Sequence, residues 1–131
     1  MKRVVSALLT LSALMLMTSM SFARTSPPPA ATVAGVYENF TIGKGSGDLE
    51  GMRVAIISAG GGYYAIVQIA QGGAEDPKPQ FVEATVKGMS VTFTVGDQKF
   101  TGTASAASLR LKDSDGGTHL LKRKPCTSLF R

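Results

Sequence analysis

The sequence predicts an all-β protein, a small antiparallel up-and-down barrel of about eight strands. From residue 33 onward, hydrophobic and polar residues alternate with a period of two, which indicates strands with one buried and one solvent-exposed face. Turn residues recur at intervals of about 8–12 residues, as in sandwiches and barrels. No hydrophobic pattern of helical period persists over the same region. A small β-sandwich is the alternative architecture.

The first four strands are predicted where the alternation begins after a proline-rich stretch. In chain order they cover residues 33–41, 49–58, 63–70 and 81–87. The residues of these strands that we expect to face inward are Met52, Val54, Ile56, Val67, Ile69, Val82 and Val86. The glycine-rich segments 43–47 and 59–62 separate the strands and tolerate the positive φ angles of tight hairpins.

The last four strands follow at shorter intervals. They are predicted over residues 89–95, 99–104, 108–112 and 118–124. Their expected inward residues are Val91, Phe93, Val95, Phe100, Leu109 and Leu111, whereas Thr92 and Thr94 lie on the opposite face. Links as short as 96–97 and 113–117 join antiparallel neighbours, because a parallel connection needs a dozen residues or more.

Closure into a barrel follows from the problem of strand edges. Eight strands that each pair with the previous one leave two unpaired edges, and pairing the first strand with the last removes both. The inward residues are mostly bulky, and an eight-stranded barrel is just wide enough for side chains to fill. We therefore expect a filled interior. Gly51 and Gly102 lie inside predicted strands, where the wall bends or a neighbour crowds in.

The start of the first strand carries a resemblance to a known group. Gly35-Val36-Tyr37 resembles the G-x-W or G-x-Y start of the calycins, which include the lipocalins and the avidins. The resemblance implies that a basic side chain of the last strand packs across the first-strand aromatic residue, and Arg123 is in place to do so. It extends to the architecture of the barrel and supplies no binding residues. The chain has no tryptophan, in contrast to the avidin pocket.

The N-terminal segment is predicted to be a signal peptide. Lys2 and Arg3 precede a short apolar stretch, and small residues lead to a cleavage site after Ala23. The predicted organisation is a signal peptide over 1–23, a flexible leader over 24–32, the barrel over 33–124 and a basic tail over 125–131. We expect a periplasmic or extracellular protein without a transmembrane anchor after cleavage.

Charge and cysteine content indicate which surfaces could meet a partner. Lys122, Arg123 and Lys124, with Arg131 beyond, form a basic C-terminal region that suits an anionic envelope surface. We expect no nucleic acid partner, because the protein is predicted to be exported. Cys126 is the single cysteine, which makes it a candidate for an intermolecular disulfide.

The remaining motifs favour binding over catalysis. Tyr37, Tyr63 and Tyr64 are the candidate ligand-binding residues, and we expect no catalytic residues, no metal and no cofactor. One histidine and one cysteine exclude the common zinc motifs. We expect His119 to be a partly covered strand residue and Asp113-Ser114-Asp115-Gly116 to be a hairpin turn. The connector 71–80 is the longest internal one, and it is a candidate lid or partner-contacting loop.

These expectations combine into one functional hypothesis with two alternatives. The hypothesis is an exported, non-catalytic binding protein of the bacterial envelope that meets another exported protein through the rim and loops of its barrel. The first alternative is a carrier of a small apolar ligand inside the barrel. The second is a small hydrolase-type enzyme, for which the sequence assembles no nucleophile, base and orienting group.

Overall fold

The computed structural model describes residues 32–70, 72–73 and 76–126, which form a closed antiparallel barrel with a small side hairpin. The strands are β1 (Gly35–Glu38), β2 (Thr41–Ile42), β3 (Leu49–Glu50), β4 (Met52–Ala59), β5 (Gly62–Ile69), β6 (Gln80–Lys87), β7 (Ser90–Val95), β8 (Gln98–Ala104), β9 (Ser108–Asp113) and β10 (Thr118–Lys124). The predicted signal peptide with Ala23, nearly all of the predicted leader, and Arg131 lie outside the described residues.

The barrel closes through β1, which pairs with β4 on one side and with β10 on the other. Val36 is opposite Ala55 in one ladder and opposite Lys124 in the other. Every other barrel strand pairs with its neighbours in the chain, so the topology is up-and-down. The predicted fold class and the pairing of the first strand with the last are both confirmed.

The first two predicted strands are too long, and their bounds are corrected by a bend at Asn39 and Gly51. β1 ends at Glu38 and β4 begins at Met52, while residues between them form the separate β2–β3 hairpin. The Asn39 side chain accepts a hydrogen bond from the Met52 amide at 2.8 Å. Gly51 has a φ of 102°, and a Cβ there would lie 2.7 Å from the Asn39 carbonyl oxygen. A glycine is therefore required where the chain turns back into the barrel.

The interior is packed with side chains. Of the predicted inward residues, Ile69, Val82 and Val86 are partly buried against the core, and the others are buried. The prediction of a filled interior is confirmed for these positions. The rings of Phe93 and Phe100 stack within this core with centroids 5.3 Å apart. Tyr37 and Leu121 are fully buried, and Val33, which precedes β1, also joins the core.

The two ends of the barrel differ in what covers them. We call the end that carries Thr32–Ala34, Cys126 and the turns after β4, β6 and β8 the floor. We call the other end the rim. The rim carries the β2–β3 hairpin, the connector from β5 to β6, and the turns after β7 and β9. The short turns thus lie mainly at the floor, and the long connections lie at the rim.

Candidate functional site

The floor is closed by Tyr37 and Arg123. The Tyr37 hydroxyl donates a hydrogen bond to the Val33 carbonyl oxygen at 2.8 Å, and it accepts one from Arg123 Nη2 at 2.6 Å. The same guanidinium donates to the carbonyl oxygen of Thr32, and its carbon lies 5.0 Å from the centre of the Tyr37 ring. One arginine thereby holds the segment before β1 against the last strand.

Gly35 makes room for that arginine. A Cβ at position 35 would lie 3.0 Å from Arg123 Nη1, closer than a neighbouring atom normally comes. The Gly35-Val36-Tyr37 start of β1 therefore has a physical reason, since the glycine admits the guanidinium that packs on the tyrosine. The packing of Arg123 across Tyr37 is the arrangement implied by the calycin resemblance. Arg123 consequently belongs to the floor and is only partly exposed.

The three candidate tyrosines do not come together. Tyr37 is fully buried in the floor, and Tyr63 is partly buried against the core. The ring of Tyr64 stacks on that of Phe81, with centroids 5.2 Å apart and planes 13° apart. Tyr63 and Tyr64 are adjacent on β5, so they lie on opposite faces of the wall. The structure therefore offers no single pocket edged by all three.

A cleft of about 530 Å³ opens at the rim instead. Leu49, Ile69 and Val95 supply apolar side chains to it. The other residues that line it are Ala70, Gly72, Gly73, Asp76, Pro77, Lys78, Gln80, Gly96 and Gln98. They come from the side hairpin, the connector and the β7–β8 turn, which are three separate parts of the chain. We call this site the rim cleft.

The connector is fixed to the barrel by hydrogen bonds on both sides of the rim cleft. The Leu49 amide donates to the Gly73 carbonyl oxygen at 2.8 Å, which joins the side hairpin to the connector. Gln68 Nε2 donates to the Pro77 carbonyl oxygen at 2.8 Å, which joins the connector to the outer face of β5. The described part of the connector is therefore a fixed wall of the cleft.

Arg53 supports Gln68 from the outer wall of β4. Its Nε donates to the Glu38 carboxylate at 2.7 Å, and its Nη1 donates to Gln68 Oε1 at 3.1 Å. The guanidinium carbon also lies 5.1 Å from the centre of the Phe40 ring. A charged donor held by two acceptors and an aromatic ring is well fixed. A continuous series of contacts thus connects β1 to the rim cleft, through Glu38, Arg53, Gln68 and Pro77.

The β9–β10 turn binds its own carboxylate. Asp113 Oδ1 accepts hydrogen bonds from the amides of Asp115 at 3.0 Å and Gly117 at 2.7 Å, and Oδ2 lies 2.8 Å from His119 Nε2. The hydrogen bond with His119 is the main reason that the pKa of Asp113 is lowered, although desolvation acts in the opposite direction. The segment 113–116 is therefore a hairpin turn, as predicted, and its first carboxylate is already occupied.

Asp113 is the hydrogen-bond partner that the structure gives to His119. In the described ranges 32–70, 72–73 and 76–126, no group of three or more His, Cys, Asp and Glu is placed to hold a metal ion. The absence of enzymatic activity and of a metal stays a prediction.

The predicted partner residues lie on different surfaces. Lys122 and Lys124 share the outer wall, where Lys122 is exposed and Lys124 Nζ is 3.9 Å from Glu38 Oε1, whereas Arg123 lies in the floor. Cys126 is an exposed free thiol beside a shallow apolar groove of about 460 Å³ that Val36 and Ile66 help to line. An intermolecular disulfide through Cys126 stays a prediction.

The rim cleft is not predicted as a site by the sequence, although the connector is a candidate partner-contacting loop. Leu49 and Val95 are distant in the chain, and only barrel closure brings them to one end. The sequence signal that was present is the length of the connector, since long connections carry binding sites more often than walls do.

The structure defines the fold of this chain, whereas the comparisons with known proteins assign it to no family. No helix in the described part of the chain is long and apolar enough to cross a membrane. Comparison with protein-family models, with characterised proteins and with solved structures gives no match. The described chain is a closed, eight-stranded antiparallel barrel of calycin-like architecture.

Proposed function

We propose that this protein is a non-catalytic binding protein that holds a segment of a partner protein in the rim cleft. One observation carries the proposal. A preformed concave site of about 530 Å³ lies at the end of the barrel where the long connections meet. This volume is within the range of about 300–1,000 Å³ that is common for ligand sites.

The packed interior supports a surface site over the alternative of an internal carrier. The inward positions of the barrel are occupied by buried side chains, among them Phe93, Phe100 and Leu111. The small residues Ala65 and Ala104 are buried in the same core. A small apolar ligand would have to displace well-packed side chains, which is unfavourable.

The lining of the rim cleft suits a short extended peptide. Leu49, Ile69 and Val95 can contact an apolar side chain, while Gln80 and Gln98 can donate to and accept from peptide groups. One acidic and one basic residue, Asp76 and Lys78, flank the cleft. Sites that combine apolar contact with a few polar groups typically fix the orientation of a ligand.

Export to the periplasm or the medium is part of the proposal and rests on residues 1–23. A basic start, a short apolar stretch and Ala23 at its end form the pattern of a cleaved signal peptide. Mass spectrometry of the protein from a fractionated bacterial host tests this. We expect a chain that begins at Arg24 outside the cytoplasm, and an uncleaved cytoplasmic chain would contradict it.

Selection from a random-peptide display library tests the binding function. We expect the protein to enrich peptides, and we expect the double variant Lys78→Glu, Gln80→Ala to weaken their binding by about tenfold, which corresponds to about 1.4 kcal/mol. The matched control is Lys87→Glu with Ser90→Ala, which changes the same charge on the outer wall and leaves the rim intact. The proposal fails if the enriched peptides bind the rim variant as tightly as the unchanged protein.

A further inference from the structure

The outer wall formed by β7, β8, β9 and β10 carries positive charge without negative charge. Its outward-facing strand residues include the exposed cations Lys99, Arg110, Lys112 and Lys122, and Lys124 at the end of β10. No outward-facing residue of these four strands, all of which lie in the described part of the chain, is an Asp or a Glu. Such a surface attracts anions.

The cations at the centre of this wall have no carboxylate to neutralise them. Arg110 and Lys112 form no ion pair with any described residue, whereas Arg53 and Lys124 each have Glu38 as a partner. The positive charges of Arg110 and Lys112 on β9 are therefore available to an anionic ligand. Two acidic strand residues lie beside this wall, and both already have partners. Asp113 at the end of β9 contacts His119, and Glu38 of β1, which lies opposite Lys122, contacts Arg53 and Lys124.

Hydroxyl side chains form two rows that cross the strands from β6 and end at these cations on β9. In the ladders, Thr85 is opposite Thr92, Thr92 is opposite Thr101, and Thr101 is opposite Lys112. The second row runs Lys87, Ser90, Thr103 and Arg110 in the same way. Neighbouring strands are about 4.8 Å apart, so each row repeats a polar group at that spacing. We call these two rows, from Thr85 and Lys87 to Lys112 and Arg110, the hydroxyl wall.

Two shallow depressions lie along the hydroxyl wall. One, of about 290 Å³, is lined by Thr101, Thr103, Arg110, Lys112 and Thr118 among others. The other, of about 220 Å³, is lined by Thr85, Lys87, Ser90 and Thr92. Each combines hydroxyl groups with at least one cation. A ligand that follows the second row would meet a cation at both ends with hydroxyl groups between them, and one that follows the first row would meet a cation at the Lys112 end.

We propose that the hydroxyl wall binds a linear acidic polysaccharide. A chain of sugar units presents hydroxyl groups between regularly spaced carboxylate or sulfate groups, which matches neutral donors and acceptors set between cations. The repeat of the rows is close to the length of one sugar unit. This surface is separate from the rim cleft, so the two proposals stand or fall independently.

Two other polyanionic partners fit the wall less well. Single-stranded nucleic acids are held by aromatic side chains that stack on the bases, and the outward residues of β7–β10 include no aromatic residue. Proteins that bind a membrane surface do so with a large apolar face. Among the outward residues of β7–β10, Leu120 alone is a large exposed hydrophobic residue, so this wall has no such face. The exposed Phe81 and Ile66 lie on other strands.

Titration calorimetry with two carboxylated or sulfated polysaccharides tests the proposal, with polygalacturonate and heparin as probes and neutral dextran as the blank. We expect both probes to bind and dextran not to bind. We expect the double variant Arg110→Gln, Lys112→Gln to lower the affinity about tenfold. The matched control is Lys44→Glu, which lowers the net charge by the same two units in the turn between β2 and β3, away from the hydroxyl wall, and its affinity should change less than twofold.

A second variant separates sugar recognition from charge attraction. Thr92→Val with Thr101→Val removes two hydroxyl groups from one row, keeps every charge, and suits a strand because valine is also β-branched. We expect a three- to tenfold loss of polysaccharide affinity with unchanged far-ultraviolet circular dichroism. The proposal is overturned if neither polysaccharide binds, or if the threonine variant binds as well as the unchanged protein. It is also overturned if single-stranded DNA or anionic phospholipid vesicles bind more tightly than the polysaccharides.

Discussion

The guanidinium of Arg123 lies 5.0 Å from the centre of the Tyr37 ring and donates a hydrogen bond to the hydroxyl of the same tyrosine at 2.6 Å. The tyrosine hydroxyl in turn holds the Val33 carbonyl at 2.8 Å. These two residues come from the first and last strands of the barrel, so their contact fixes the ladder that closes it.

Tyr37→Phe is expected to destabilise the protein by about 1–3 kcal/mol, because it leaves the buried Val33 carbonyl without its hydroxyl donor and removes one of the two acceptors of Arg123 Nη2. For a domain of this size, each kcal/mol lowers the melting temperature by about 4–8 °C. Tyr64→Phe is the control, since that ring lies on the outer wall and forms its contact through the ring face. Thermal unfolding followed by circular dichroism measures both, and equal melting temperatures would contradict the role of the hydroxyl.

Phe100→Ala is expected to cost about 3–5 kcal/mol, because it opens a cavity in a packed core. Phe81→Ala, at a position 63% exposed, should cost about 1 kcal/mol or less. Urea unfolding gives both values.

The native, unchanged protein is expected not to raise the fluorescence of an environment-sensitive apolar dye, because its interior is filled with side chains. If the native protein binds the dye and a fatty acid displaces it, the internal carrier is favoured instead.

Stability at acid pH should depend on Asp113. Its pKa is lowered from the ordinary 3.8 in the folded protein, so the folded state binds fewer protons than the unfolded state in this range. The stability that the carboxylate contributes is therefore present above pH 3.8 and is lost as pH falls through the lower folded pKa. Asp113→Asn should be less stable than the unchanged protein near neutral pH, and the difference should shrink below pH 3.8.

Urea unfolding at a series of pH values from about 7 to about 2 measures how the free energy of unfolding depends on the ionisation of Asp113. Asp97→Asn is the control, because that carboxylate is exposed in the β7–β8 turn. If the curves of Asp113→Asn and the unchanged protein run parallel down to the lowest pH, the hydrogen bonds of Asp113 do not stabilise the fold.

Gly102→Ala is expected to be strongly destabilising, although it adds a single methyl group. A Cβ at this position would overlap the carbonyl oxygen of Arg110 on the neighbouring strand. Backbone cannot move aside as a flexible side chain can, so the ladder between β8 and β9 must distort. Gly45→Ala is the matched control, because nothing lies within 4 Å of a Cβ there. Melting temperatures of the two variants should differ by at least 10 °C, on the order of 2 kcal/mol, and similar values would contradict the crowding.

The alternation of side chains was enough to predict the barrel wall. Val91, Phe93 and Val95 are buried as their spacing indicates, because a strand in a two-faced wall allows little other arrangement. A bend or a close neighbour was expected at Gly51, but the end of the strand there was missed, because the hydrogen bond from the Met52 amide to the Asn39 side chain depends on two residues that are distant in the chain. Local alternation continues through that bend and conceals it.

The candidate site was harder to predict for the same reason. The rim cleft depends on Leu49, Ile69 and Val95 meeting at one end, which only the closed topology determines. The chemistry of Tyr63 and Tyr64 makes them candidate ligand-binding residues, yet adjacent strand residues face opposite ways and cannot share a pocket. Arg123 was expected both on the surface and across Tyr37, and the room left by Gly35 explains why the second position is observed.

The floor has a consequence for protein engineering. Arg123 of the last strand donates directly to the Thr32 carbonyl, so the chain enters and leaves the barrel at neighbouring points. A short linker between these points would allow a circular permutation, with new termini opened at Gly60 and Gly61 in an exposed hairpin. Every barrel strand would keep both of its neighbours, and a fused reporter could be moved without disturbing either binding surface.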